Sequence, residues 1–155
     1  MTPPRRETIE PDISTDSAVA ALVAGFEDCS LPYINWTHRA HLAVAVSYVT
    51  QLPFPAALDR VRSRIQTYNR TRGSGTGYHE TVTAVFMRAA ADFVARHPDL
   101  GPAAALAGLA AWCDMNWVRR HYSAERLESA EAKTGWVEPD VGRREFVGPV
   151  SNRPV

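Results

Sequence analysis

Several features that commonly betray a function are scarce or missing from this sequence. It has only two cysteines, Cys29 and Cys113, far apart and without a CxxC partner. They give no disulfide framework, and a Cys29–Cys113 bridge does not suit a reducing compartment. Cys113 falls on an apolar helical stripe and reads as a small core residue. Seventeen basic and seventeen acidic side chains cancel, so no global field draws the chain to nucleic acid or to an anionic membrane. No apolar run approaches the roughly 20 residues that a membrane-crossing helix needs. The first residues, Met1-Thr2-Pro3-Pro4-Arg5-Arg6-Glu7, are polar and show no secretory hydrophobic region, so the cytoplasm is the expected location. GxxxxGK[ST] and GxGxxG are both absent, and no nucleotide cofactor is expected. Neither an internal repeat nor a strand-like alternation is visible.

What remains is helical periodicity. The chain reads as one all-α domain at 14–135, between a flexible arm at 1–13 and an irregular tail at 136–155. Val19, Leu22, Val23 and Phe26 make the inward stripe of a first helix, about Thr15 to Glu27, with Ser14 or Thr15 as its cap. A second helix opens at Thr37, or at Asn35, and runs to Gln51, with His38, His41, Leu42, Ala45, Val46 and Val49 inward. A third starts at Pro55 and passes through Leu58, Val61, Ile65 and Tyr68. Asn69-Arg70-Thr71-Arg72 and the glycines after it read as a flexible basic connection. A fourth helix spans about Gly77 to His97, its stripe headed by His79. A fifth spans Pro102 to Arg120, with Asp114 beside its stripe. Ser123 and Ser129 look like caps of two short turns, Ala124–Leu127 and Ala130–Lys133. Short connections favour antiparallel neighbours, so the expected architecture is an up-down bundle of about five helices.

Three histidines, His38, His41 and His79, thus occupy positions that would ordinarily be apolar, in the opening turns of two helices that the bundle makes parallel. Burial and the positive end of a helix dipole both disfavour imidazolium, and neutral imidazoles that face inward together suit a metal ion or a proton-transfer site. His38 and His41 are spaced i, i+3 and can approach one point. Together with His79 they form a candidate ligand set for a divalent transition metal, zinc or iron. Glu80 is placed as ligand or acid/base beside a catalytic His79, and Asp114 in an outer, orienting position. Trp36, Tyr78, Tyr68 and Arg72 are candidate substrate contacts. The spacing is neither HExxH nor the repeated ExxH of a di-iron bundle. The same residues without metal make an acid/base pocket with His79 or His38 as base. As hydrogen-bonded core residues they would only fix helix ends. The arginines of 60–72 read first as a solvated face, with anion binding as the alternative.

The motifs Trp36-Thr37-His38-Arg39-Ala40-His41-Leu42, Gly77-Tyr78-His79-Glu80-Thr81 and Tyr122-Ser123-Ala124-Glu125-Arg126-Leu127 also carry a resemblance. With Tyr68-Asn69 and Trp136-Val137-Glu138-Pro139-Asp140, the stretch from Phe26 to Asp140 resembles a family of small, uncharacterised bacterial helical proteins. The resemblance implies that these stretches belong to one recurring design and brings no activity with it. The function expected from the residues is a small metal-dependent enzyme acting on a small polar or acyl substrate. The alternatives are a metal-independent acid/base enzyme, or a non-catalytic binding or scaffold module, monomeric or dimeric through its Ala-rich helices.

Overall fold

The second helix is apolar on every face, Leu42-Ala43-Val44-Ala45-Val46, and a helix of that kind must be surrounded. In the computed structural model, which describes residues 6–75 and 77–142, it is. All regular structure among the described residues is helical: α1 (Asp16–Glu27), α2 (His38–Gln51), α3 (Phe54–Arg72), α4 (Glu80–Arg96), α5 (Pro102–Ala110), α6 (Met115–Arg119), α7 (Ala124–Glu128) and α8 (Ala130–Thr134), with a 3-10 turn at Tyr33–Asn35. α2 runs through the centre with α1, α3, α4 and α5 packed around it. Residues Leu42 to Tyr48 are consecutively buried, including Ala43, Val44, Ser47 and Tyr48, which a single inward stripe leaves outside. The arrangement is therefore a central helix packed among α1, α3, α4 and α5, with three short helices following α5 in the chain, eight α-helices among the described residues where about five were expected.

Two helix boundaries differ from expectation for identifiable reasons. α3 continues through Asn69-Arg70-Thr71-Arg72, because nothing in that stretch breaks a helix before Gly73. The Asn69 carbonyl there accepts from both Gly73 N and Gly75 N at 2.9 Å. The basic segment is thus helix, and the connection to α4 shrinks to a few glycine-rich residues. The long fifth helix stops at Ala110 and restarts at Met115. Asp114 takes an extended conformation and accepts a bond from Trp117 N (2.9 Å), the usual competition of an aspartate side chain with helix continuation. Thr15, Ser123 and Ser129 cap α1, α7 and α8 in the same manner.

α4 is buried on two sides. Met87, Ala89 and Ala90 join the main core around α2, while Val85 joins a smaller core with Val118, Tyr122 and Leu127. Its first turn is latched to the C-terminal segment: Thr81, fully buried, donates its hydroxyl to Gly135 O (2.6 Å) and accepts from Val137 N (3.2 Å). Thr81→Val keeps the shape and leaves both backbone groups without this partner. It is expected to cost about 1–2 kcal/mol, seen as a lower denaturation midpoint with an unchanged slope.

Residues 6–13, expected as part of a flexible arm, form no helix or strand and are tied down. Arg6 donates to the carbonyls of Tyr33 (2.6 Å) and Trp36 (2.7 Å), and its guanidinium lies 4.0 Å over the Tyr33 ring. Ile9 N donates to Ile34 O, Asn35 Nδ2 to Ile9 O, and Thr37 Oγ1 to Glu10 Oε2. Ile13 is buried in the core. This strap lies against the mouth of α2. In the 136–155 tail, Trp136 to Asp140 are similarly held: Tyr122 donates to Val137 O, Arg126 to Glu138 O, and Ser123 to the Asp140 carboxylate. What the sequence leads one to expect of residues 1–5 and 143–155 falls outside the described residues.

Candidate functional site

All three histidines line one cavity of about 490 Å³, between α2, α3 and α4 and closed on one side by the strap. Trp36 and Tyr78 line it too. The remaining wall is largely apolar: Ala45, Val61, Ile65, Val82, Phe86, Met87 and Met115. The convergence expected from sequence is therefore a convergence on a common space, and the bonds of each ring decide what that space can do.

His41 sits on the first turn of α2, its ring 3.7 Å from that of Trp36, which is itself stacked on Phe26 at 4.6 Å. Its Nδ1 lies 2.7 Å from the carbonyl of Thr37, an acceptor, so Nδ1 carries the hydrogen and Nε2 keeps a lone pair. Burial lowers its pKa to about 4, with the nearby His38 and Arg6 acting in the same direction and the Thr37 bond opposing them. His41 is therefore neutral across the physiological range, and no described residue occupies its Nε2.

His38 is more exposed and donates Nε2–H to Cys113 O at 2.7 Å. The interruption between α5 and α6 is what frees that carbonyl from helical pairing. Its ring meets Phe86 edge-on at 4.9 Å. His79 was expected within α4 and instead stands one residue before it, as the cap. Nδ1 accepts from Val82 N (3.1 Å), and Nε2 donates to Leu127 O (2.6 Å). Both ring nitrogens are engaged, which leaves no lone pair for a metal and no free nitrogen for proton transfer. Among the described residues no group of three or more His, Cys, Asp or Glu side chains is arranged to hold a metal ion. The ligand set His38, His41 and His79 is not assembled in this arrangement.

The expected acid/base partner faces elsewhere. Glu80 forms a two-pronged pair with Arg62 (Nε to Oε1 2.8 Å, Nη2 to Oε2 2.7 Å) and accepts from Tyr78 Oη at 2.6 Å. Arg62, with the Tyr78 bond assisting, holds its carboxyl below the usual range despite burial, and the start of α4 favours the charge further. Burial and the Glu80 bond push the Tyr78 phenol upward. This triad closes the wall between the histidine cavity and a second cleft. Tyr78 and Asn69 line both spaces.

Three further sequence candidates lie outside the cavity. Asp114 is exposed and serves as the cap of α6, so it orients no histidine. Tyr68 is fully buried, packed near Phe26 and Trp36, with its hydroxyl donated to Leu31 O at 2.6 Å. Arg72, carried by the extended α3, donates to Cys29 O at 2.5 Å. Cys113 is a buried core thiol, its pKa pushed up to about 12 chiefly by burial, and it is a free cysteine. Sequence reasoning missed Arg6, Thr8 and Glu10, which line the cavity from the strap. Their local signal is weak, since short-range pattern does not show that an extended segment folds back onto residues about 30 positions away.

Compared with family models, curated proteins and solved structures, the chain shows no match to any of them. No helix among the described residues is long and apolar enough to cross a membrane.

Proposed function

We infer that the chain is a small-molecule-binding protein whose histidine-lined cavity takes a compact, largely apolar molecule carrying one hydroxyl or amine hydrogen. The observation that carries this reading is His41. Its ring is fixed by Trp36 and by the Thr37 carbonyl, and its depressed pKa keeps Nε2 an acceptor. A preformed, mostly apolar cavity of several hundred cubic ångströms with a few positioned polar groups is the usual make-up of a small-ligand site. A nitrogen that holds a proton so weakly at neutral pH is better suited to accepting a hydrogen bond than to removing a proton. With His79 locked at both nitrogens and Glu80 facing another cleft, binding is the activity these residues support best, ahead of metal-dependent or acid/base catalysis.

Phenol and cyclohexanol are suitable probes, each pairing an apolar ring with one hydroxyl. Titration followed by nitrogen-detected NMR is expected to move the His41 Nε2 resonance and the Trp36 indole signal together. His41→Leu, which keeps an apolar wall, is expected to weaken phenol binding by about tenfold, the worth of one hydrogen bond in a dry site. Probes that leave both signals unmoved, or that bind the Leu variant equally well, would overturn the reading. A stoichiometric metal in protein purified without a histidine tag would return the metal-dependent alternative to first place.

A further inference from the structure

On the other side of the Tyr78 wall lies a larger cleft of about 770 Å³, lined by Arg62, Arg70, Arg88 and Lys133 against the single carboxylate of Glu80. In a chain whose charges cancel overall, this is a local concentration of positive charge inside a concave surface. Arg62 is already committed: its guanidinium serves Glu80 through two nitrogens and Asp59 through the third. Arg70 and Lys133 form no ion pair with a described carboxylate. Lys133, the only lysine in the chain, stands on α8. Arg88 has its guanidinium over the Trp136 indole, 4.2 Å from the ring centroid, and both residues line the same space. Trp136 is itself oriented by a bond from Nε1 to Glu138 Oε1 at 3.2 Å.

We propose that this cleft binds the phosphate group of a small organic phosphate, with an attached ring lying against Trp136. Guanidinium and ammonium donors spread over several helices match the many acceptor oxygens of a phosphate dianion better than they match one carboxylate. The Glu80–Arg62–Tyr78 triad gives the floor a fixed shape without adding net charge. The concavity and the aromatic wall favour a small solute over an extended membrane surface. The proposal is independent of the histidine cavity and stands or falls separately.

The test is calorimetric titration of the full chain with phenyl phosphate, inorganic phosphate and citrate at low ionic strength. Phenyl phosphate is expected to bind most tightly, because its ring gains the indole contact that inorganic phosphate lacks. Lys133→Gln and Arg70→Gln, both exposed and free of fold-bearing ion pairs, are each expected to weaken both phosphates by about tenfold. Trp136→Leu is expected to remove the advantage of phenyl phosphate over inorganic phosphate. Arg96→Gln, a cation paired with Asp92 elsewhere on α4, is expected to change nothing. Phenyl phosphate is also expected to slow acylation of Lys133, read by mass spectrometry of the peptide that contains it. Equal losses in Arg96→Gln and Lys133→Gln, tighter binding of citrate than of either phosphate, or no saturable binding would each overturn the proposal.

Discussion

Between pH 6.5 and about 4 the protein is expected to lose on the order of 2–3 kcal/mol of stability through His41, and His41→Phe to abolish most of that loss. The sign follows from the direction of the shift. In the unfolded chain His41 takes up a proton near its ordinary value, while in the folded chain burial delays that uptake to about pH 4. Through that window the unfolded state binds more protons, so stability falls as pH falls. Above the window both states are neutral at this site, and below it both are charged, so the slope disappears at each end. The phenyl ring of the variant keeps the contact with Trp36. The Thr37 carbonyl still receives the backbone N–H of residue 41, so no acceptor is abandoned. Chemical denaturation at intervals across this range measures the effect. An acid limb of the same size in wild type and His41→Phe would show that His41 is not its source.

Breaking the Glu80–Arg62 pair from its two sides is expected to give unequal results. The side chain of Glu80 is 10% exposed and that of Arg62 is 36% exposed. Glu80→Ala leaves a guanidinium that keeps Asp59 and can be rehydrated, at a cost of about 2 kcal/mol. Arg62→Ala leaves a nearly buried carboxylate without its cation, at a cost of about 3 kcal/mol at neutral pH. The pH dependence separates them further. In the wild type the depressed carboxyl pKa contributes stability that is complete above the ordinary carboxylate value and lost as pH falls through the lower, folded value. In Arg62→Ala burial raises the carboxyl pKa, so the folded state takes the proton first. The deficit of that variant then narrows on acidification. Urea midpoints of both variants at neutral and acid pH check this ordering, and a larger loss for Glu80→Ala would contradict it. The His41 effect lies mostly above the Glu80 range, so the two are resolvable in one pH series.

Much of the framework was legible from sequence because its signals are local. Thr15, Thr37, Ser123 and Ser129 cap where side-chain oxygens next to apolar periodicity say they should. The gathering of His38, His41 and His79 around one space followed from their places at the heads of two neighbouring helices. What local pattern could not supply was the bonding of each ring. Whether His79 offers a lone pair depends on Val82 N and Leu127 O, the latter 48 positions away. Glu80 sits beside His79 in sequence, yet the helical rotation between neighbours sends it to Arg62 on α3. Asp114 was misplaced by one assumption, that an alanine-rich periodic stretch continues as one helix. The stretch stops at Ala110, and Asp114 caps the separate helix that follows. The surrounded position of α2 was written in its run of apolar residues, which a search for a one-sided stripe passes over.

The strap also bears on how the cavity wall is held together. Arg6 joins Trp36 across 30 positions of chain, and its guanidinium hands its hydrogens to main-chain oxygens at the cavity rim. Ile13 is the one described strap residue buried in the apolar core, and the other contacts of the strap named above are polar or lie at the surface. Arg6, Thr8 and Glu10 of the same segment line the cavity. The strap thus makes one part of the cavity wall separable from the central helix that holds His41.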